Sequence, residues 1–307
     1  MWGASVRSWY ASRSMAKGTA KTGLAISGAT GAVGGKIAAR LARAGLGQRL
    51  IVRDAARAPD LPAAEVAEAS YEDPLALRRA LAGVETFFMV SAAESADRAR
   101  RHADAVDAAL EAGVERIVYL SFVSAAPNAT FTFARDHWLT EEHIRSSGVR
   151  HTFLRDNVYL DYIPAFTGTD GVIRGPAAEG RVGAVAREDV AEVAVAVLLG
   201  DRHDRRTYDV TGPEAITLRE AAEELSRASG RRISYHPETL EEAYASRASY
   251  GAPDWEVEGW VTSYAAVATG EMDVVSETVS ELTGHPPMGL GEFLRRHPES
   301  YRHLLSA

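Results

Sequence analysis

A chain of 307 residues with 46% hydrophobic content is long enough to close a full core, as one large domain or as a large domain with a smaller lobe. Its net charge of -8 argues against a nucleic-acid binder, which needs a basic face to displace counterions from phosphates. The absence of cysteine excludes disulfides, thiolate nucleophiles and cysteine-held zinc, and the nine histidines stand at no metal-ligand spacing.

Residues 1–22 carry Arg7, Arg13, Lys17 and Lys21 without an acid, which gives them the surface look of a transit peptide. The expectation is instead a flexible N-terminal extension, with a natural start at Met15, on a cytoplasmic protein. No run of about 18 apolar residues follows, so no membrane helix is expected.

From residue 22 onward short β-branched runs alternate with longer amphipathic stretches, the pattern of βαβ units on a parallel sheet. The strand candidates are GLAIS (23–27), RLIVR (49–53), AEVAEA (64–69), TFFMVS (86–91), RIVYLS (116–121) and HTFLR (151–155). Asp73-Pro74 announces one intervening helix, as a capping acid followed by proline at the first helical position. Another helix runs through ADRARRHADAVDAALEAG and stops at Gly113.

Residues 156–180 contain TGTDG and RGPAAEG, both rich in turn formers, and read as an excursion from the sheet. The alternation then returns. GAVA (183–186) is a short strand candidate, Asp189 is the expected cap of the helix VAEVAVAVLLG, and TYDVTG is a late strand. From Thr217 helices dominate, with one strand candidate at RRISYH. Trp255, Trp260 and Tyr264 recur at near-helical spacing and are expected to pack into a core.

The fold class is therefore α/β: a Rossmann-type doubly wound parallel sheet with a small, mostly helical C-terminal lobe. Residues 23–155 and 181–212 are assigned to the dinucleotide-binding part, and 156–180 with 213–307 to a substrate-binding lobe.

The strongest motif is ISGATGAVGG (26–35), in which Gly28, Gly31 and Gly34 form GxxGxxG between an apolar strand and the helix-forming KIAARLARAG. A tight turn without Cβ, a close backbone approach and the free N–H groups of a helix start together suit a pyrophosphate. Ala32 and Val33 complete the turn, and Thr30 adds a hydroxyl.

The end of the second strand selects the dinucleotide. Arg53 precedes Asp54 there; an arginine pairs with a 2′-phosphate whereas an acid accepts from a free ribose hydroxyl, so NADPH is expected ahead of NADH. Arg57 reads equally as a second cation or as a solvated residue at a helix start. Ser70-Tyr71 is expected along the adenine, and Ser91 near the ribose and nicotinamide.

Many short-chain dehydrogenases exchange protons through a Tyr-x-x-x-Lys pair. This chain has three lysines, Lys17, Lys21 and Lys36; Ala32 stands four residues before Lys36 and no lysine follows it, so that relay cannot be built.

With GATGAVGG, LIVRDAARA, YEDPLALRRALAGVETFFMVS, ERIVYLSFVSAAP, DHWLTEEHIRSSGVRHTFLRDNVYLD, YDVTGPEAITLREAAEELSRASGRRI and ELTGHPP in view, nearly everything after residue 22 resembles the NmrA-like atypical short-chain dehydrogenases. The similarity is greatest to the quinone oxidoreductase and triphenylmethane reductase branch, some of whose members also lack the Tyr-Lys pair. The block from His137 to Tyr159, with H-x-x-x-E, T-x-L-R and N-x-Y, carries most of it.

The resemblance implies an NADPH-dependent oxidoreductase acting on a quinone or another conjugated small molecule, with neither nucleic acid nor membrane as partner. It also allows a non-catalytic redox sensor that binds NADP(H), or a pathway-specific reductase or isomerase. By the same resemblance Phe122, Val123, His137 and Tyr159 line the substrate pocket, and His137, Asn157 and Tyr159 form the catalytic group.

His137 then orients a substrate oxygen or donates a proton near neutral pH; the alternative is a surface histidine paired with Glu141. Asn157 either faces the nicotinamide or stabilises the turn after the sixth strand. The acid pairs Glu141-Glu142, Glu223-Glu224 and Glu241-Glu242 read as solvated helix faces. One departure from the family is Ala69-Ser70 in place of a Gly-Asp pair after the third strand.

Overall fold

All six strand candidates are strands, lying side by side in one parallel sheet completed by a seventh. The structure, a computed structural model, describes residues 23–305, so the expected extension at 1–22 lies outside the described residues. The strands are β1 (Leu24–Ser27), β2 (Gln48–Val52), β3 (Ala64–Glu68), β4 (Thr86–Val90), β5 (Arg116–Phe122), β6 (Arg150–Asp156) and β9 (Arg206–Val210), in the order β3-β2-β1-β4-β5-β6-β9. The connection order reverses between β1 and β4, where a ligand crevice opens at the carboxyl ends of the strands.

Alternate side chains feed two cores, which explains why the central strands carry apolar residues at consecutive positions rather than at every second one. On one face Ile26, Leu50, Phe88, Val118 and Leu154 meet α1 (Ala32–Arg43) and α5 (Arg187–Leu199). On the other, Ile51, Phe87, Met89, Tyr119 and Phe153 meet α2 (Pro74–Ala80), α3 (Arg98–Glu111) and α4 (Thr132–Ser146). Each fully buried phenylalanine contributes about 1.5–3 kcal/mol.

Asp73 caps α2 as its sequence implies, its Oδ1 accepting from Ala76 N at 2.9 Å. Asp189 does not cap α5. That helix begins earlier, after Ala186, and places Asp189 in its first turn, where Oδ2 accepts from the buried Met288 N at 2.8 Å.

GAVA is likewise not a strand. Val185 makes a single bridge to Tyr159, and the paired residues are β8 (Arg181–Val182) with β10 (Ile216–Thr217). A Cβ on Gly183 would stand 2.0 Å from Val274 O, so at that point the chain is pressed against a loop rather than a neighbouring strand.

The excursion at 156–180 contains β7 (Val172–Gly175), which pairs in parallel with β11 (Ser234–Pro237), the RRISYH candidate. A third core lies beneath it: Leu160, Ile163, Ile173 and Val182 pack against Leu218 and Leu225 of α6 (Leu218–Ser229) and Phe293 of α10 (Leu290–Arg296). Between β11 and α10 run α7 (Leu240–Arg247), α8 (Asp254–Ala268) and α9 (Thr278–Thr283). No helix among the described residues is long and apolar enough to cross a membrane.

Candidate active site

The glycine turn is built for close approach. Gly28 takes φ 64°, Gly31 N donates to Gly28 O at 2.8 Å, and a Cβ on Gly34 would lie 2.4 Å from Gly28 O. Gly31 is the N-cap of α1, so no side chain caps this helix and no acid sits in its first turn. The N–H groups of Ala32, Val33 and Gly34 therefore lie at the positive end of the helix without intrahelical acceptors, the arrangement that receives phosphate. Thr30, Gly31 and Ala32 are exposed, while the Val33 side chain is buried in the sheet core, leaving only its main chain for a ligand.

Past β2 the two candidate readers of the ribose are sorted by their contacts. Asp54 Oδ1 accepts from Ala56 N at 2.9 Å and caps the turn at 55–57, whereas the exposed Arg53 and Arg57 side chains make no hydrogen bond or ion pair to any described residue. Ser70 is half-buried and its Oγ accepts from Glu72 N at 3.2 Å. Tyr71 departs from the adenine-side expectation. Its hydroxyl donates to Val90 O at 2.8 Å and stands 2.6 Å from Ser27 Oγ, tying β1 to β4 from within, and burial pushes its pKa up. Ser91, half-buried, follows β4 at the crevice.

On the far side of the crevice, beyond β5, a row of rings runs outward. Phe122 lies 6.1 Å from His137 and 5.4 Å from Phe131, Phe131 5.5 Å from Phe133, and Phe133 6.1 Å from Trp255, all between ring centroids. Trp255 thus meets the start of α4, unlike Tyr264, which packs on Phe166. Val123 is not part of this wall: its side chain is fully buried and its N–H donates to Asp156 O at 2.9 Å, closing β5 onto β6.

His137 is neither a surface histidine nor a proton donor near neutral pH. It is 6% exposed, and its Nε2 stands 3.3 Å from Arg98 Nη2. A guanidinium has no acceptor to offer, so Nε2 must accept and the ring proton sits on Nδ1, which donates to the Tyr119 hydroxyl at 2.9 Å. Burial first, and then Arg98, hold its pKa well below the ordinary histidine range. His102 is pinned in the same way: Ala92 N donates to its Nε2 at 2.8 Å, Nδ1 contacts Thr140 Oγ1 at 2.8 Å, and burial lowers its pKa to about 3.

Glu141, expected on a solvated face, is fully buried. It accepts from Ser121 Oγ at 2.7 Å, from Arg155 Nε at 2.8 Å and Nη2 at 2.7 Å, and from Arg145 Nη2 at 2.8 Å. The H-x-x-x-E and T-x-L-R motifs meet in this latch, which anchors α4 to β6.

Asn157 is 1% exposed and works on backbone: Nδ2 donates to Met272 O at 3.0 Å and Oδ1 accepts from Val158 N at 2.8 Å. The neighbouring Glu271 accepts from Thr130 N at 2.9 Å and, through its carbonyl, from the Ser124 hydroxyl, so one C-terminal segment secures both crevice loops. Tyr159 is half-buried and donates to Asp156 Oδ2. Burial raises the Asp156 pKa to about 7, and burial together with that carboxylate lifts the Tyr159 phenol well above its usual value. Arg187 stacks 4.7 Å from the Tyr159 ring and bonds Asp161 at 3.0 Å.

The family model described as NAD(P)H-binding matches residues 28–201, from the first glycine of the turn to just past α5. The chain belongs to that family.

It is 36% identical, over 90% of its own length and 98% of the relative's, to the (4-alkanoyl-5-oxo-2,5-dihydrofuran-3-yl)methyl phosphate reductase of Streptomyces griseus subsp. griseus. Among solved structures it is similar to the NADPH-dependent quinone oxidoreductase of Escherichia coli in complex with NADPH, with 31% identity, TM-score 0.82, and coverage of 89% of this chain and 99% of that one. It is also similar to the triphenylmethane reductase of Citrobacter sp. complexed with NADP(H), with 28% identity, TM-score 0.79 and the same coverage.

Two groups of this NAD(P)H-binding chain escaped the sequence reading. Arg98 sits in a helix to which the sequence assigns no site residue, and Asp156 is hidden inside a motif read for its asparagine and tyrosine. Only the ADRARR run carried any signal: three arginines in four residues cannot all share one exposed helix face.

Proposed function

We propose that the protein is an NADPH-dependent oxidoreductase that reduces a quinone or a similar conjugated small molecule. The observation that carries this reading is the uncapped start of α1 behind the glycine turn, with Arg53 and Arg57 past β2 free of any partner among the described residues and Asp54 already committed to a turn. The vacant N–H groups fit a pyrophosphate and the free cations fit a 2′-phosphate.

Bound there, NADPH supplies a hydride. The chain contributes a ring-lined wall, from Phe122 to Trp255, against which a flat acceptor stacks with water excluded. Tyr159 borders the same crevice beyond β6 and donates a hydrogen bond to Asp156. The only lysine among the described residues, Lys36, is bound to Glu188 and joins α1 to α5, consistent with catalysis without a Tyr-x-x-x-Lys relay. The Streptomyces relative is named for an unsaturated oxo-dihydrofuran and the Escherichia coli one for quinones, and both names describe a carbonyl conjugated to a C=C bond.

The test is NADPH oxidation followed across quinones, unsaturated lactones and cationic triarylmethane dyes. Turnover with at least one class, and with NADPH well ahead of NADH, is expected. Tight NADPH binding with a flat trace for every acceptor would remove the reductase reading.

A further inference from the structure

Arg98 is the group that the reductase reading leaves unexplained. As the first residue of α3 it is 5% exposed, yet no carboxylate of the described residues lies within ion-pair distance of it. Its neighbour Asp97 is taken by Arg100, Arg101 and Ser95. Nε donates to Ala92 O at 2.9 Å and Nη2 to His137 Nε2 at 3.3 Å, both neutral acceptors. Asp156, the acid at the end of β6, is engaged by Tyr159.

Hydrogen-bonded only to neutral atoms, with Asp136 and Asp156 acting on it through space rather than in an ion pair, the buried guanidinium is poorly compensated, and a fold tolerates this where the charge has a use. The second clue is Nη1. It has no partner among the described residues, and it is not one of the polar side-chain atoms closed off from solvent. The guanidinium stands 5.9 Å from the Phe133 ring centroid, and its partner His137 faces Phe122, so the free edge lies at the root of the aromatic wall. His102 and His137 are both held neutral, which leaves Arg98 as the local positive charge.

We propose that Arg98 Nη1 is a subsite for the oxygen of the acceptor, recognising a phenolate or enolate oxygen on a ring stacked against Phe122 and Phe133. The proposal rests on the reductase reading. When hydride adds to a conjugated carbonyl, a C–H bond forms and the displaced π pair moves to oxygen; that oxygen later takes a proton from water, and two electrons have passed from NADPH to the acceptor. A fixed donor aimed at the forming oxyanion lowers the barrier because it does not have to reorganise. His137 is a positioning residue here: by accepting from Nη2 it turns the fork so that Nη1 stays free.

The test uses 4-nitrophenol, whose ionisation is visible by absorbance, with NADP-loaded protein. The expected result is preferential binding of the phenolate, lowering the apparent pKa of the bound phenol by about one unit, an about tenfold preference for the anion. Arg98→Met should abolish that preference while the NADP dissociation constant and the unfolding midpoint stay close to those of the parent. If Arg98→Met does not fold, Arg98→Lys carries the test, because an ammonium cannot hold Ala92 O and the oxyanion at once, and the preference should weaken.

Equal binding of phenol and phenolate by the parent, or an unchanged preference in either variant, overturns the proposal. Arg98-dependent phenolate binding in a protein that oxidises NADPH with no acceptor supports the subsite and separately removes the reductase reading.

Discussion

Arg53→Ala probes the cofactor site cleanly because Arg53 is exposed and makes no hydrogen bond or ion pair to any described residue. Its removal breaks no hydrogen bond or ion pair among the described residues, so stability should change by no more than about 0.5 kcal/mol, the range for surface positions. The binding effect should be selective. A charge-assisted bond to phosphate is about twice as strong as a neutral one, but Arg53 is exposed and solvent screens it. With Arg57 nearby to share the phosphate, the NADPH dissociation constant is expected to rise about tenfold, not a thousandfold, and the Arg53→Ala/Arg57→Ala pair should exceed either single change. NADH lacks the 2′-phosphate, so its affinity should stay within about twofold. Titration of cofactor fluorescence at low and at 0.5 M salt measures both constants, and the NADPH loss should shrink at high salt. Equal losses for NADPH and NADH, or a loss insensitive to salt, would refute the assignment.

Glu141→Leu should destabilise the fold by about 3–5 kcal/mol, since it strands the Arg155 guanidinium beside a buried strand end, and thermal unfolding would register it; a change under 1 kcal/mol would mean that the latch is dispensable. Asn157→Ala should leave NADPH affinity intact but loosen the segment at Met272, visible as faster hydrogen exchange there, whereas unchanged exchange would put the role of Asn157 elsewhere. Asp156 has a folded pKa of about 7, above its value in an unfolded chain, so the native state binds the extra proton; its contribution is complete at acid pH and is lost as pH rises through about 7. Asp156→Asn should therefore raise the unfolding temperature more at pH 8 than at pH 5, and an equal shift at both would argue against it.

The parts of this molecule legible in the sequence are those fixed by neighbours in the chain. ISGATGAVGG announces its turn because strand end, glycines and helix start are contiguous, and Asp73-Pro74 marks a helix because a cap acts within three residues. The four-residue β7 escapes, because VIRG gains its strand identity from SYHP about sixty residues later. Glu141 looks like half of a solvated pair until Arg155 arrives from the next strand to neutralise it.

His137 is the sharpest case. Its position in the motif placed it correctly beside Phe122, yet its chemistry depends on Arg98, thirty-nine residues upstream on another helix. A histidine expected to give a proton is instead compelled to accept one hydrogen bond and donate another, because the guanidinium beside it can only donate. The same contact reassigns the positive charge of the crevice from an imidazole that would come and go with pH to an arginine that does not. If Arg98 holds the acceptor oxygen, any change of the hydride-transfer rate across about pH 6 to 7 should belong to Asp156, whose pKa is raised to about 7, and not to His137. Single-turnover rates at saturating NADPH would measure it, and a steep fall through that range that disappears in His137→Gln would return the proton-donor role to the histidine.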